Sequence, residues 1–297
     1  MSNTAWTFPG QGSQKVGMGR DLSERSSAVA RVFSVVDDAL GFPLSHTIFN
    51  GPADELVATV NQQPAILAAS IAYLTMLREA GRLPDPVCVA GHSLGEYSAL
   101  VAVGALDLAD AARLVRRRGE LMEEHGLGGM IAVLGLDEPS LIEIAGLAGV
   151  EIANINAPGQ TTLSGRAGPL ETAAALARER GARRVVPLAV NGAFHSSLMR
   201  PVVDALRPMI EGTSISASWV PLVSDVDARL LSEPAELRQE LLDQITASVR
   251  WIDVVEAATR LGATSFIEVG PGNVLTGLIR RIVPDAEATT ADALIGA

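Results

Sequence analysis

Cysteine is almost absent from this chain: Cys88 stands alone among 297 residues. No internal disulfide can form, and a reducing cytoplasm is the expected location. Lysine is as scarce, with Lys15 against twenty-two arginines. There is no overall basic excess, because the net charge is −11. Such a chain is poorly suited to grasping nucleic acid, and no nucleic-acid partner is expected. No apolar run reaches the ~18 residues a membrane-spanning helix needs, and no basic-then-apolar leader opens the chain. Neither a membrane segment nor a signal peptide is expected. No His, Cys or carboxylate group has metal-ligand spacing, so neither a metal nor a cofactor is expected. Repeats and low-complexity tracts are also missing.

What is present is a chain rich enough in apolar residues (48%) to bury a large core. Residues 4–8 read as a strand entering the glycine turn 10–13. Helical periodicity covers 28–40 and 62–79, and residues 87–90 form an unbroken apolar run, as a strand buried on both faces should. Helices are expected over 94–104 and 108–124, with Asp107 as a cap. The rhythm then changes to strand 130–136, helix 138–148, strands 150–155 and 160–164, helix 169–180 and strand 184–190. That order is βαββαβ, the pattern of a ferredoxin-like unit. Beyond it come helix 196–211, strand 220–224, helices 234–246 and 254–261, strand 265–269 and helix 271–282, with the last ten or so residues loose. The expected fold is α/β: a parallel sheet covered on both faces, with an inserted small subdomain at 128–191. The larger subdomain would comprise 1–127 and 192–297.

Gly91-His92-Ser93-Leu94-Gly95 is a G-x-S-x-G sequence lying between the apolar run and a helix, the context that makes this common pattern informative. A sharp strand-to-helix turn strains the serine, and glycines on both sides remove collisions. Ser93 is the expected nucleophile, and the Leu94 N–H at the helix start the first donor to an oxyanion. Of four histidines, His92 is expected to point away from Ser93, and His46 and His125 lie in ordinary polar settings. His195, where the chain leaves the insertion, is the base by elimination; the competing reading is a buried structural histidine. No carboxylate declares itself beside it: Asp204 is about two helical turns on, and a backbone carbonyl could orient the imidazole instead.

Four blocks carry a resemblance over nearly the whole chain: FPGQGSQ at 8–14, GHSLGEYSAL at 91–100, AFHSSLM at 193–199 and EVGPGNVLTGL at 268–278. In this order and spacing they resemble the malonyl-CoA:acyl carrier protein transacylases. The resemblance implies an α/β-hydrolase-like core with the ferredoxin-like unit inserted, and an acyltransferase of fatty acid biosynthesis or polyketide synthesis. It implies Ser93 as the acylated serine in a Ser-His dyad with His195, and Arg118 as the grip on the substrate carboxylate. It also implies an oxyanion hole from the backbone N–H groups of Gln11 and Leu94, and Gln244 as the residue whose carbonyl orients the histidine. Around Gln244, the segment ITASVRW departs from the family's aromatic-Asn-Pro-Val pattern. Ala-Phe-His at 193–195 resembles the sequence that accompanies malonyl rather than methylmalonyl selection, which makes Phe194 the acyl-selectivity residue. Gly192 before it departs from the family.

The chemistry of the residues fits. A guanidinium can hold a malonyl carboxylate bidentately, and ~100° per residue lets Arg118 face inward while Arg116 and Arg117 face solvent. Such a hold positions the thioester carbonyl over Ser93. The expected reaction is ping-pong: malonyl-CoA acylates Ser93, coenzyme A leaves, and the phosphopantetheine thiol of acyl carrier protein takes the malonyl group. Carrier proteins of this kind are acidic, so one of the arginine clusters at 116–118, 178–184 or 280–281 is expected to receive them. The alternative is a serine thioesterase or esterase with water as acceptor, for which a buried Arg118 has no use; a docking component without chemistry is a third. The chain is expected to be monomeric.

Overall fold

The computed structural model describes residues 3–296. Its larger sheet has the order β10 (Glu287–Thr290), β9 (Ser265–Glu268), β1 (Thr4–Phe8), β2 (Pro86–Gly91), β7 (Leu222–Val223) and β8 (Leu230–Leu231). All neighbours run parallel except β8, which returns antiparallel to β7. The central strands alternate between two cores. Trp6, Phe8, Val89 and Ile267 face one cluster, whereas Ala5, Cys88, Ala90 and Phe266 face the other. A side-chain period of two places both sets between sheet and helices, so apolar residues occupy both faces of these strands. Burial pushes the Cys88 thiol up to about 12, making it an inert packing group.

A second sheet is antiparallel, in the order β4 (Glu151–Ala157), β5 (Gln160–Gly165), β3 (Gly129–Leu134) and β6 (Arg184–Pro187). Helices Glu138–Ala148 and Ala167–Glu179 cover one face through Leu141, Ile144, Leu170 and Ala173. The other face turns toward the main body. One parallel bridge joins β4 to the segment at Val249: the Ile155 N–H donates to Val249 O (2.8 Å) and the Val249 N–H to Ala153 O (2.9 Å).

Three expectations need correction. The strand expected to reach Val190 ends at Pro187, which frees Leu188 and Val190 to line a cavity. The helix expected from Ser196 begins as a 3₁₀ turn, Ser197–Met199, and becomes α-helical only over Arg200–Gly212. Pro201 has no N–H to extend the ladder backward, so it sits where a helix starts. The final residues are ordered, not loose: β10 pairs with β9, and helix Ala291–Gly296 follows. Among the described residues no helix is long and apolar enough to cross a membrane.

Candidate active site

β2 ends at Gly91, and helix Gly95–Ala102 starts immediately after Ser93-Leu94. Ser93 occupies the turn at φ 54°, a left-handed conformation that costs a non-glycine residue about 1–3 kcal/mol. The flanking glycines make the turn possible. A Cβ at Gly91 would lie 2.0 Å from Glu96 N, and one at Gly95 2.1 Å from Phe8 O. The Ser93 N–H donates to Asp225 Oδ2 at 2.7 Å, which fixes the main chain of the turn. The Leu94 N–H, at the helix start, has no acceptor among the described residues.

His195 is also left-handed, at φ 56°. Its Nε2 lies 2.8 Å from Ser93 Oγ. Its Nδ1 faces two carbonyls, Gln244 O at 2.8 Å and Ala247 O at 3.0 Å. A carbonyl can only accept, so Nδ1 carries the proton and Nε2 is the lone-pair nitrogen facing the serine hydroxyl. Burial, then the charge of Arg118 and the neighbouring His92, push the imidazole pKa down to about 3. The ring is therefore a neutral base at ordinary pH. Asp204 plays no part in these contacts. His92 donates through its Nε2–H to Asn156 Oδ1 (2.8 Å) and stacks obliquely near Trp251, so it has its own partner although it lines the same cavity as Ser93.

Arg118 is fully buried. Nη2 donates to Ser93 Oγ (3.0 Å) and Gln244 Oε1 (3.1 Å), and Nη1 donates to Gln63 Oε1 (2.8 Å). Its guanidinium carbon lies 5.9 Å from the Tyr97 ring centre. Arg116 and Arg117 point outward to Glu120. Gly119 explains how helix Leu108–Glu124 brings Arg118 this deep: a Cβ there would sit 2.9 Å from both Thr59 O and Val60 Cα. The cavity above Ser93, about 110 Å³, is walled by Gln11, Met130, Asn154, Val190, Phe194 and His195 among others. The Phe194 ring lies against Gly192, where a Cβ would approach within 2.6 Å. The Gln11 amide donates to Gln62 Oε1 at 2.6 Å.

Four residues at the site escaped the sequence reading. Gln63 is a fully buried amide in the first turns of helix Thr59–Glu79, and Glu96 is a fully buried carboxylate in the largely apolar helix after Ser93. A lone carboxylate in an apolar stretch was the available signal for Glu96, whereas Gln63, directly after Asn61 and Gln62, carried none. Asp225 follows β7 at the carboxyl end of a parallel strand, where sites of open α/β sheets gather. Glu240 lies on helix Pro234–Asp243. The carboxylate oxygens of Glu96, Asp225 and Glu240 lie within 4.8 Å of one another, the sole such metal-type grouping among the described residues. These oxygens already accept from protein donors, including the Asp225 N–H, the Gln244 amide and the Ser224 hydroxyl.

The chain matches the acyl transferase domain family over residues 5–297. It is 44% identical over 290 residues to the malonyl CoA-acyl carrier protein transacylase of Bacillus subtilis, covering 95% of this chain and 91% of that protein. It is 40% identical over 301 residues to the transacylase of the same name from Escherichia coli K12, covering 99% and 96%. Among solved structures, an acyl-carrier-protein-S-malonyltransferase from Bartonella henselae superposes with a TM-score of 0.95 at 42% identity, covering 99% of this chain and 98% of that one. A malonyl-transacylase in complex with its type II PKS acyl-carrier protein also superposes at 0.95, with 39% identity and the same coverage. A strained strand-to-helix turn, a carbonyl-held histidine and a buried arginine meeting at one serine thus occur in a chain that belongs to the acyl transferase family, among the malonyl-CoA–acyl carrier protein transacylases.

Proposed function

We propose that Ser93 and His195 form a Ser-His dyad that carries malonyl groups from coenzyme A to an acyl carrier protein. The protein is a malonyl-CoA–acyl carrier protein S-malonyltransferase serving fatty acid or polyketide synthesis. His195 Nε2 takes the Ser93 proton as Oγ attacks the thioester carbonyl. The tetrahedral oxyanion is received by the N–H groups of Leu94 and Gln11. Collapse expels coenzyme A as its thiol, protonated from His195. The carrier's phosphopantetheine thiol then gives a proton to His195, attacks the malonyl-serine ester and leaves with the malonyl group.

One observation carries this reading: the Arg118 guanidinium lies 3.0 Å from the nucleophile in a buried pocket. A serine hydrolase for neutral acyl groups gains nothing from a desolvated cation beside its nucleophile, whereas a malonyl carboxylate requires one. Gln63 and Gln244 fix the guanidinium plane. Phe194 fills the space an α-methyl would need.

The antiparallel sheet order β4-β5-β3-β6, with two helices on one face, supports an inserted ferredoxin-like subdomain at 128–191. The parallel sheet with Ser93 at the end of β2 supports an α/β-hydrolase-like core from 1–127 and 192–297. A monomer in the cytoplasm, without a cofactor, completes the proposal. Intact mass after brief exposure to malonyl-CoA tests it. The wild type should gain one malonyl group, Ser93→Ala none, and Arg118→Ala far less. Carrier protein should then discharge the adduct. An adduct formed equally from acetyl-CoA and lost in plain buffer would mark a hydrolase.

A further inference from the structure

Arg118 donates only to neutral groups: Gln63, Gln244 and the Ser93 hydroxyl. A buried cation is costly unless an anion lies close. The anion stands one amide away. Gln244 accepts from Arg118 through Oε1 and donates through Nε2 to Glu96 Oε2 at 2.7 Å. Glu96 Oε1 accepts the Asp225 N–H at 3.0 Å, and Asp225 Oδ2 accepts the Ser93 N–H at 2.7 Å. The nucleophile is therefore held from two sides, by a guanidinium at its hydroxyl and a carboxylate at its main chain. Glu240 completes a set of three carboxylates within 4.8 Å. Three ionised carboxylates against one guanidinium would leave excess negative charge in the interior, so the set must share protons. Burial, reinforced by mutual repulsion, pushes Glu96 and Asp225 well above the usual carboxylate range, and burial raises Glu240 as well. Asp225 Oδ1 is buried with no hydrogen-bond partner among the described residues.

We infer that Asp225 is a positioning residue that holds the Ser93 main chain and serves as the counter-charge of Arg118 until the malonyl carboxylate arrives, whereupon the Asp225–Glu96–Glu240 set takes up one proton from solvent. The inference rests on the assignment of Arg118 to the substrate carboxylate. Two anions about one buried cation repel each other, and a proton on the carboxylate set removes that repulsion. An O–H bond forms at a carboxylate oxygen, for which Asp225 Oδ1 is unoccupied, and no other bond changes. The charged and titratable groups bearing on Asp225 are Glu96 and Tyr97 on the helix after Ser93, Glu240 on helix Pro234–Asp243, and Arg118 on helix Leu108–Glu124. Asp227, two residues on, pairs with Arg229 at 2.5 Å. His195, with its pKa near 3, stays neutral throughout.

The test is the affinity for a non-transferable malonyl thioether of coenzyme A, and the protons taken up on binding it, measured at several pH values near neutrality. For the wild type, binding should weaken by up to about tenfold per pH unit, with uptake of up to about one proton. The corresponding acetyl thioether, which has no carboxylate, should bind without uptake. Asp225→Asn keeps an oxygen for the Ser93 N–H but cannot ionise; its malonyl affinity should become independent of pH, with no uptake. Glu240→Gln, one step removed from the serine, should reduce both pH slope and uptake, and guards against misfolding of the first variant. A wild type that binds the malonyl analogue without proton uptake, or an Asp225→Asn enzyme with the wild-type slope, would overturn the inference. Arg118→Ala separates the two levels. If it binds the malonyl analogue as tightly as the wild type, the carboxylate assignment fails together with what rests on it. If it binds about tenfold or more weakly while uptake is absent from the wild type, only the role of Asp225 fails.

Discussion

As the base proposed for Ser93, His195 has to be unprotonated, and its surroundings keep it so: burial and the Arg118 charge push its pKa down to about 3. The rate of Ser93 acylation at saturating malonyl-CoA should therefore show no loss on lowering the pH through the ordinary histidine range near about 6.5. Stability moves the other way. The unfolded chain takes up a proton on this histidine below about 6.5 and the folded chain does not, so folding weakens as the pH falls from there toward about 3. Melting temperatures of wild type and His195→Gln across that window should diverge, with the variant gaining relative stability toward acid. Phe194 makes the other prediction at this scale. Phe194→Ser should raise the methylmalonyl-to-malonyl ratio of kcat/KM by about tenfold or more, the effect of a methyl group in a pocket. At the level of single residues, Ser93 was legible because strand, glycines and helix form one local pattern. Asp225 and Glu240 were not, since they reach Ser93 and Glu96 from more than a hundred residues away, and nothing local marks that meeting.

The elements show why local pattern carries some structure and misses the rest. Helix Glu138–Ala148 was readable end to end, with Asp137 capping the Ser140 N–H and Gly149 closing it at φ 71°. β10 was unreadable because Glu-Ala-Thr-Thr is short and polar; only its parallel partner β9 makes it a strand, with Ala288 as its buried contact. Helix Thr59–Glu79 hides its face for a different reason, being buried almost all round. At the elbow, element packing is tight enough to predict failure. Gly91→Ala and Gly95→Ala each drive a Cβ into backbone atoms about two ångströms away (2.0 and 2.1 Å). Each should destabilise the fold by about 3 kcal/mol or more in chemical denaturation, or prevent soluble expression. Gly119→Ala meets its obstruction at 2.9 Å and should be milder in stability while raising KM for malonyl-CoA, because it shifts the helix that carries Arg118.

At the scale of the whole molecule, the overall charge of −11 and the local arginines pull in opposite directions. An acidic carrier protein needs a basic patch on this acidic surface. Arg183, just before the last strand of the antiparallel sheet, and Arg280, on helix Val274–Ile282, are the positions to reverse. Arg183→Glu or Arg280→Glu should raise KM for the carrier protein several-fold and weaken its salt dependence, leaving acylation by malonyl-CoA alone unchanged. An unchanged carrier KM in both variants would exclude these two positions. The alternation of strands and helices, and the change of rhythm near residue 128, were legible because they are written in periodicity. How the two sheets sit against each other was not, because that depends on the short bridge at Val249.

That bridge has a thermal consequence. It runs through Ala153, Ile155 and Val249, two residues from the Ala247 carbonyl that faces the histidine. The smaller sheet cannot peel away without loosening the backbone that holds His195. Heating should accordingly produce one calorimetric transition instead of two, and enzymatic activity should vanish along the same curve. The Ile155 and Val249 amides should exchange their hydrogens as slowly as those of the central strands.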